Sequence, residues 1–352
     1  MMSSIRSQLA VSAEPTIMMI SRAALIGLII LFTGVRLAGI TVTLQTQAAI
    51  YLLGMVALNL PHGGYEHFAN LRRRAMRFRG KYIAGYILMA VMYIGAFILA
   101  PIVGLAIAIA IAVAKGGGGD LYALQITSGT DHIQSRAHQL LAVAARGGAV
   151  MAVPIVAFPE TFHTFSSLMI GMVDPGGLTG IARYFDVTRI LIGVGYAMVV
   201  IGHLGVGYMH RPADGIGWIV DAAETILLIG YFVAVPVVVA VGLYFPLWYS
   251  IRQVAREINV ETATSRGSDL LGGTDASTGT VALRAWGILI AGALATAIVA
   301  VGFWLAVPNP VPSESTYFGL VAFWSVFISV IALPHVLIGN VLDRQRGIWH
   351  VP

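Results

Sequence analysis

Cysteine is absent from the 352 residues, and charged residues are scarce, at 11% of the chain. Without cysteine there is no disulfide and no thiolate ligand, so a bound metal would require histidine, carboxylate, tyrosine or amide ligands. So little charge together with a hydrophobic fraction of 58% excludes an ordinary soluble globular domain. The short alternating segments of a membrane barrel are also missing. The sequence therefore predicts an all-α fold, a polytopic membrane helix bundle.

The net charge of +5 does not indicate a nucleic-acid partner. The basic residues cluster at the ends of apolar segments, where they contact anionic lipid of the bilayer and set the topology. The densest basic run, residues 72–81, is predicted to face the cytoplasm by the positive-inside rule. Arg22 and Arg36 lie near the ends of the first apolar segment, and we expect both to extend to the membrane surface. No signal-peptide core ends in a cleavage site, so the N-terminus is expected to be retained.

Apolar segments of membrane-spanning length predict about eight transmembrane helices, with seven to nine as the range. We expect one helical domain over residues 17–345, between an N-terminal tail at 1–16 and a C-terminal tail at 346–352, with a flexible polar loop at 257–282. No internal repeat and no second domain is evident in the sequence. The protein is therefore expected to be a multi-pass protein of the cell membrane.

Several local features qualify this topology. Pro101 divides the long apolar region into two predicted helices, 82–99 and 101–114, joined by a tight turn. The next residues, KGGGGD at 115–120, predict a flexible loop. Residues 131–146 mix polar and apolar side chains, which is typical either of an amphipathic helix at the membrane surface or of the polar start of a longer helix.

In the second half of the chain, local composition predicts one loop and one broken helix. Residues 210–221 are polar and predict a short loop. Residues 222–249 predict one long helix that is softly broken at Pro236. Both predictions follow from local composition alone.

Nine histidines occur, most of them in or beside apolar segments. Imidazoles at membrane depth are costly and often functional, and neutral histidine is a common iron ligand. The stretch LPHGGYEH places His62 and His67 where a membrane helix meets water. Glu160 and His163 form a Glu-x-x-His pair, a spacing used in helical di-iron sites. The alternative for each histidine is a packing residue whose nitrogens find hydrogen-bond partners.

Five motifs, in this order, resemble motifs of the Brp/Blh family of membrane β-carotene 15,15′-dioxygenases, which form retinal for microbial rhodopsins. They are LPHGGYEH at 60–67, TDHIQSRA at 130–137, RGGAVMAVPIVAFPET at 146–161, YFPLWYSIRQ at 244–253 and ALPHVLIGNVLDR at 332–344. The family counterparts are PHG-x-x-D-H, HFG-x-x-D, RG…P…HP-x-E, YF-x-x-WHS-x-RH and LPH. The histidine boxes of membrane di-iron hydroxylases fit less well, because they include adjacent histidines and this sequence has none.

The resemblance implies a non-haem iron, Fe(2+), held by histidines of the first, second and fourth motifs. His62 and His132 match the first two ligands, and we expect them to lie close together inside the bundle. Tyr249 and Gln253 stand where the fourth motif has its two histidines. Possible replacement ligands are His67, His163 and His203. Three further residues are expected to hydrogen-bond to the ligands without binding the metal themselves: Glu66, Glu160 and His335. Glu66 stands where the family has an aspartate.

Two functions follow from the resemblance, and the replaced ligands leave both open. The first is cleavage of β-carotene to retinal, with the polyene in an apolar slot whose expected walls are Phe158, Phe162, Phe245, Trp248 and Tyr249. The second is a family member without iron that binds a carotenoid, retinal or another isoprenoid. Such a protein would act as a carrier or as the partner of a membrane protein such as a rhodopsin.

A third hypothesis, an unrelated membrane hydroxylase or transporter, does not account for the five ordered motifs. Without iron, Tyr249 is expected to donate a hydrogen bond to His62 or His132, and Gln253 to another neighbour.

Overall fold

A computed structural model describes residues 2–58, 76–253 and 278–342, which form helices joined by short turns. The helices are α1 Met2–Leu37, α2 Leu44–Leu52, α3 Met76–Leu99, α4 Pro101–Ser128, α5 Arg136–Ala157, α6 Pro159–Gly171, α7 Phe185–Met209, α8 Ile216–Ala234, α9 Val237–Tyr244, α10 Thr278–Ala306 and α11 Thr316–Leu342. Helices α2 and α9 each continue into a π-helical turn, Leu53–Leu58 and Phe245–Ser250 respectively. The LPHGGYEH motif, most of the predicted loop 257–282 and the C-terminal tail lie outside the described residues.

Within the described part of the chain, six helices are long and apolar enough to cross a membrane. They are Thr16–Leu37, Gly80–Leu99, Pro101–Ser128, Phe185–Met209, Ile216–Ala234 and Thr316–Pro334. Two shorter apolar helices, Leu44–Leu58 and Ile290–Ala306, accompany them. The predicted fold class is confirmed: the chain is an all-α, multi-pass membrane protein.

Helix α5 packs against α4, α7 and α8 and so lies among the helices that carry the site. Its start is fixed by Ser135, whose side chain accepts a hydrogen bond from the backbone N–H of His138 at 3.1 Å. It ends at Ala157, and Pro159 begins α6 two residues later. Of the two alternatives for residues 131–146, the structure therefore shows the polar start of a longer helix.

The four glycines at 116–119 are helical and buried, so the prediction of a flexible loop was wrong. A Cβ on Gly117 would overlap the carbonyl oxygen of Val143, and one on Gly147 would overlap that of Val113. The glycines therefore let the backbones of α4 and α5 approach each other closely, as small residues do between membrane helices. Local composition indicates flexibility here because it cannot show the partner helix.

The structure also revises two predictions of helix boundaries. Helix α8 begins at Ile216, so Asp221, predicted to end a polar loop, lies inside the helix and is fully buried. The single long helix predicted over 222–249 is two helices, because Pro236 has no backbone N–H to continue α8. Helix α1 begins at Met2, and its candidate membrane span, Thr16–Leu37, begins close to the predicted start of the membrane domain at residue 17. The predicted turn before Pro101 is confirmed, since α3 ends at Leu99.

Helices α2 and α9 cross closely near their π-helical turns. A Cβ on Gly54 would overlap the carbonyl oxygen of Gly242, and one on Gly242 would lie 2.5 Å from Cα of Tyr51. Single π-helical turns are uncommon and are frequent at functional sites. The crossing holds the end of α2, which precedes the LPHGGYEH motif in the chain, beside the start of the YFPLWYSIRQ motif.

Because Gly147 contacts the α4 backbone directly, we expect Gly147→Ala to destabilise the bundle by about 1–3 kcal/mol, the usual cost of overpacking. Gly95→Ala is a matched control, since a Cβ there meets nothing within 4 Å. Thermal unfolding of both variants in detergent measures the difference. Equal unfolding midpoints for the two variants would contradict the close α4–α5 packing.

Candidate functional site

An ion network lies buried between α4, α5 and α8. Arg146 donates through Nε to Oδ2 of Asp120 at 2.6 Å and through Nη1 to Oδ1 of Asp221 at 2.7 Å, and its Nη2 donates to Glu224. All four side chains are at most 2% exposed. Charges removed from water are tolerated when they are paired and hydrogen-bonded. Arg146 therefore holds three carboxylates from two other helices in one place.

Two further arginines complete this network. Arg252 donates to both oxygens of Glu224 at 2.8 Å, and its Nε lies 2.7 Å from Oδ1 of Asp120. Arg22 of α1 donates to Oε1 of Glu224 at 2.8 Å, so the expectation that it extends to the membrane surface was wrong. Three arginines thus face three carboxylates, and the formal charges sum to zero.

The fourth motif supplies part of this network. The indole of Trp248 donates to Oδ1 of Asp120 at 3.0 Å, and the guanidinium carbon of Arg252 lies 4.3 Å from the centre of its ring. Trp248, which we expected as an apolar wall of a substrate slot, is therefore also a polar partner. The rings of Phe245 and Tyr249 are buried and pack edge to face at 5.9 Å.

Tyr249 and Gln253, at the replaced ligand positions, face Gly119 of α4. The amide of Gln253 donates to the carbonyl oxygen of Gly119 at 3.1 Å, which is the kind of neighbour contact expected of it. A Cβ on Gly119 would lie 2.7 Å from Cε2 of Tyr249 and 3.0 Å from Nε2 of Gln253. The glycine therefore gives both side chains room beside Asp120, the next residue along α4.

Three histidines are buried around Asp221. Nε2 of His132, in the turn before α5, lies 2.9 Å from Oδ2 of Asp221, and Nε2 of His203 on α7 lies 3.0 Å from the same oxygen. Nε2 of His138 lies 3.1 Å from the backbone oxygen of His203 and 3.2 Å from its Nδ1. The three side chains are at most 3% exposed. They form one hydrogen-bonded group, the histidine cluster, which Asp221 joins to the ion network.

Glycines give His132 its place between α7 and α8. A Cβ on Gly207 of α7 would lie 3.1 Å from Cδ2 of His132. Gly129, in the turn before His132, has a φ of +78°, which L side chains rarely adopt. A Cβ on Gly217 of α8 would lie 2.8 Å from the carbonyl oxygen of Gly129. The turn therefore rests directly on α8 and brings His132 to Asp221.

Three ring nitrogens of the histidine cluster are buried without a hydrogen-bond partner: Nδ1 of His132, Nδ1 of His138 and Nε2 of His203, which lies 3.0 Å from Oδ2 of Asp221. Such atoms are rare in folded proteins and call for a specific explanation. The three imidazoles and the carboxylate of Asp221 have the donor chemistry that iron(II) takes in proteins. Among the described residues, however, no group of three or more histidines and carboxylates is arranged to hold an ion.

The other predicted site residues either lie away from the histidine cluster or fall outside the described residues. His163 packs its ring against Phe185 at 5.5 Å, and Glu160 is exposed. Phe158 and Phe162 are half-buried where α5 meets α6. His62, Glu66 and His67 lie outside the described residues, as does the side chain of His335, so the expected proximity of His62 and His132 stays a prediction. Of the two possible replacement ligands within the described residues, His203 belongs to the histidine cluster and His163 does not.

Sequence reasoning did not identify the carboxylates of the site. Asp221 and Glu224 are three residues apart, so they share one face of an otherwise apolar helix. A charged pair in such a helix is a strong functional signal, but the predicted boundary separated its members, with Asp221 at the end of the loop 210–221 and Glu224 in the helix 222–249. Asp120 was missed for a similar reason, because it follows the four glycines.

The fold and the site define a multi-pass helical membrane protein that encloses histidines and balanced charges between its helices. The family model described as beta-carotene 15,15′-dioxygenase matches residues 53–343, and the chain belongs to this family. The probable beta-carotene 15,15′-dioxygenase Brp of Halobacterium salinarum is 48% identical over 337 residues, which are 95% of this chain and 94% of that protein. The probable beta-carotene 15,15′-dioxygenase Blh of the same organism is 32% identical over 322 residues, 89% of each chain. No solved structure matches the chain.

Removal of Arg146 should destabilise the protein strongly, because three buried carboxylates would then face two arginines. We expect Arg146→Gln to cost about 3–5 kcal/mol, the range for breaking a buried ion pair from one side. Arg36→Gln, at an exposed position, is the matched control and should change little. Chemical unfolding in detergent micelles gives both values, and a small effect at Arg146 would show that the network is not a source of stability.

Proposed function

We propose that this protein cleaves a carotenoid within the membrane and that β-carotene, cut at its central 15,15′ double bond, is the substrate. The observation that supports this most directly is the family match over residues 53–343, which contains the whole histidine cluster and Asp221. Two relatives that span nearly the full chain carry the same activity in their names. The alternative of an iron-free carrier has no comparable support.

The proposed reaction balances without a further reductant. One molecule of O₂ is consumed, the central C=C bond breaks, and each of its two carbons gains one oxygen atom. A symmetric β-carotene thereby gives two molecules of retinal. Both substrate and product are apolar, so a membrane protein is a suitable catalyst, and a retinal-binding membrane protein such as a rhodopsin is a proposed recipient of the product.

We also propose Fe(2+) as the cofactor, with His132 and His62 among its ligands. Two observations support this: the imidazoles are buried, and Nδ1 of His132 has no hydrogen-bond partner. A neutral imidazole is the form that binds a metal. When bound, iron(II) with open coordination positions supplies the means to bind O₂ beside the polyene.

The protein's own residues supply position and exclusion of water. Asp221 holds His132, and Arg146 fixes Asp221 from the opposite carboxylate oxygen. The buried rings of Phe245 and Tyr249 are proposed walls against the polyene. The burial of His132 and Asp221 is proposed to keep water from the reaction, which protects a reactive centre.

Expression in bacterial cells that accumulate β-carotene tests the activity. The unchanged chain should bleach the cells and produce retinal, measured by chromatography of extracts. His132→Gln should reduce retinal formation by about 100-fold or more, because it removes a proposed ligand while an amide can still donate to Asp221.

Glu314→Gln, in the exposed turn before α11, serves as the control and should retain full activity. Protein amounts in the membrane must be equal for all three chains. Absence of retinal from cells that contain the unchanged, folded protein would contradict the proposed function.

A further inference from the structure

A lysine, Lys115, lies near the middle of α4, inside a candidate membrane span. Of the 21 lysine and arginine residues in the chain, only Lys81 and Lys115 are lysines. Lys81 is exposed near the start of its span, whereas Lys115 is half-buried in the interior of its own. An ionisable side chain at this depth is costly and usually marks a functional position. Neither the ion network nor the histidine cluster includes Lys115, so neither accounts for it.

The chemical difference between lysine and arginine indicates what Lys115 can do. Where this protein pairs its buried carboxylates, it uses the arginines Arg22, Arg146 and Arg252. A guanidinium stays protonated and acts only as a hydrogen-bond donor. The amine of a lysine can lose its proton and become a nucleophile, and lysines in apolar surroundings form Schiff bases with carbonyl compounds. Lys115 therefore offers a reaction that the arginines of the ion network do not.

The amine of Lys115 lies beside the fourth motif. Its Nζ lies 5.6 Å from the centre of the ring of Tyr249, which is a proposed wall against the polyene. Lys115 and Gly119 are four residues apart on α4, so they share one face of that helix. Gly119 is also the residue that gives Tyr249 and Gln253 room. Lys115 is half-buried whereas Tyr249 is buried, so part of the lysine side chain is accessible to a ligand next to this ring.

The proposed reaction produces the functional group that such an amine binds. β-Carotene has no carbonyl group, but each molecule of retinal ends in an aldehyde. The neutral amine adds to the aldehyde carbon, the aldehyde oxygen leaves as water with the two hydrogens of the amine, and a C=N bond remains. The step needs no oxidant or reductant, and one molecule of water reverses it. A lysine at this position therefore distinguishes the product from the substrate.

We propose that Lys115 is a product-binding residue whose Nζ takes up retinal as a reversible Schiff base beside Tyr249. The inference rests on the proposed function for the identity of the aldehyde, and it adds a covalent step at a residue that lies outside all five motifs. Retinal held in this way is protected from reaction with other amines of the membrane. Hydrolysis of the C=N bond then releases it to a recipient.

Reductive trapping of added retinal tests this assignment without any turnover. The purified full chain in detergent is incubated with all-trans-retinal and sodium cyanoborohydride, which reduces a Schiff base to a stable secondary amine. Mass spectrometry of the digested protein then identifies the modified residue. We expect the retinyl group on Lys115 and little of it on Lys81, although Lys81 is the more exposed of the two. Retinol, which has no aldehyde, should give no adduct under the same conditions.

Lys115→Arg is the matched variant, because it keeps a positive charge but cannot form a Schiff base, and it should lose the adduct. Lys81→Arg is the control and should still carry the adduct on Lys115. An unchanged chain with no adduct on Lys115, or with the adduct mainly on Lys81 or on the N-terminal amine, would overturn the inference. Because this result is read from the unchanged chain, it does not depend on the folding of either variant.

The trapping result is separate from the test of the proposed function. A chain that forms retinal in cells containing β-carotene but gives no adduct at Lys115 refutes the role of Lys115 alone. A chain that carries the adduct at Lys115 but forms no retinal from β-carotene refutes the proposed function, and Lys115 is then still an aldehyde-binding residue.

Discussion

The ion network of Arg146 with Asp120, Asp221 and Glu224 is the constraint on which the rest of the site depends. Isolated charges cannot remain in the interior of a membrane protein, so each carboxylate requires an arginine and each arginine requires its carboxylates. The network joins α4, α5 and α8 through hydrogen bonds, and Arg252 adds the segment after α9. Because such bonds have strict geometry, they fix the rotation of each helix about its axis as well as its position.

Close backbone packing makes this network possible. The reach of an arginine is limited, so the helices that carry its partners must lie near one another. Gly117 and Gly147 bring α4 and α5 into contact, and Gly119 gives room to Tyr249 and Gln253 next to Asp120. The absence of side chains at these positions therefore controls where the charged side chains meet, although the glycines themselves have no chemical role.

The sequence predicted the fold class and family better than the site. Apolar segment length follows directly from the thickness of the bilayer, so the helical bundle could be predicted from composition. The histidines were recognised as unusual, and His132 and His203 do lie together. The partners of these histidines were missed because contact across α5, α7 and α8 depends on helix rotation, which local composition does not report. Asp120 and Asp221 illustrate this, since both were assigned to loops although both are buried in helices.

The YFPLWYSIRQ segment, which contains the replaced ligand positions, also contributes to the ion network. Trp248 and Arg252, in the same segment, bind Asp120 and help to balance the charges of the network. The segment therefore has a role in the bundle that does not require histidine at Tyr249 or Gln253. Meanwhile three imidazoles gather around Asp221, which is bound to a different arm of Arg146. Charge balance and donor nitrogens are thus supplied by separate parts of one connected network, so a change in the last motif can leave the histidine cluster intact.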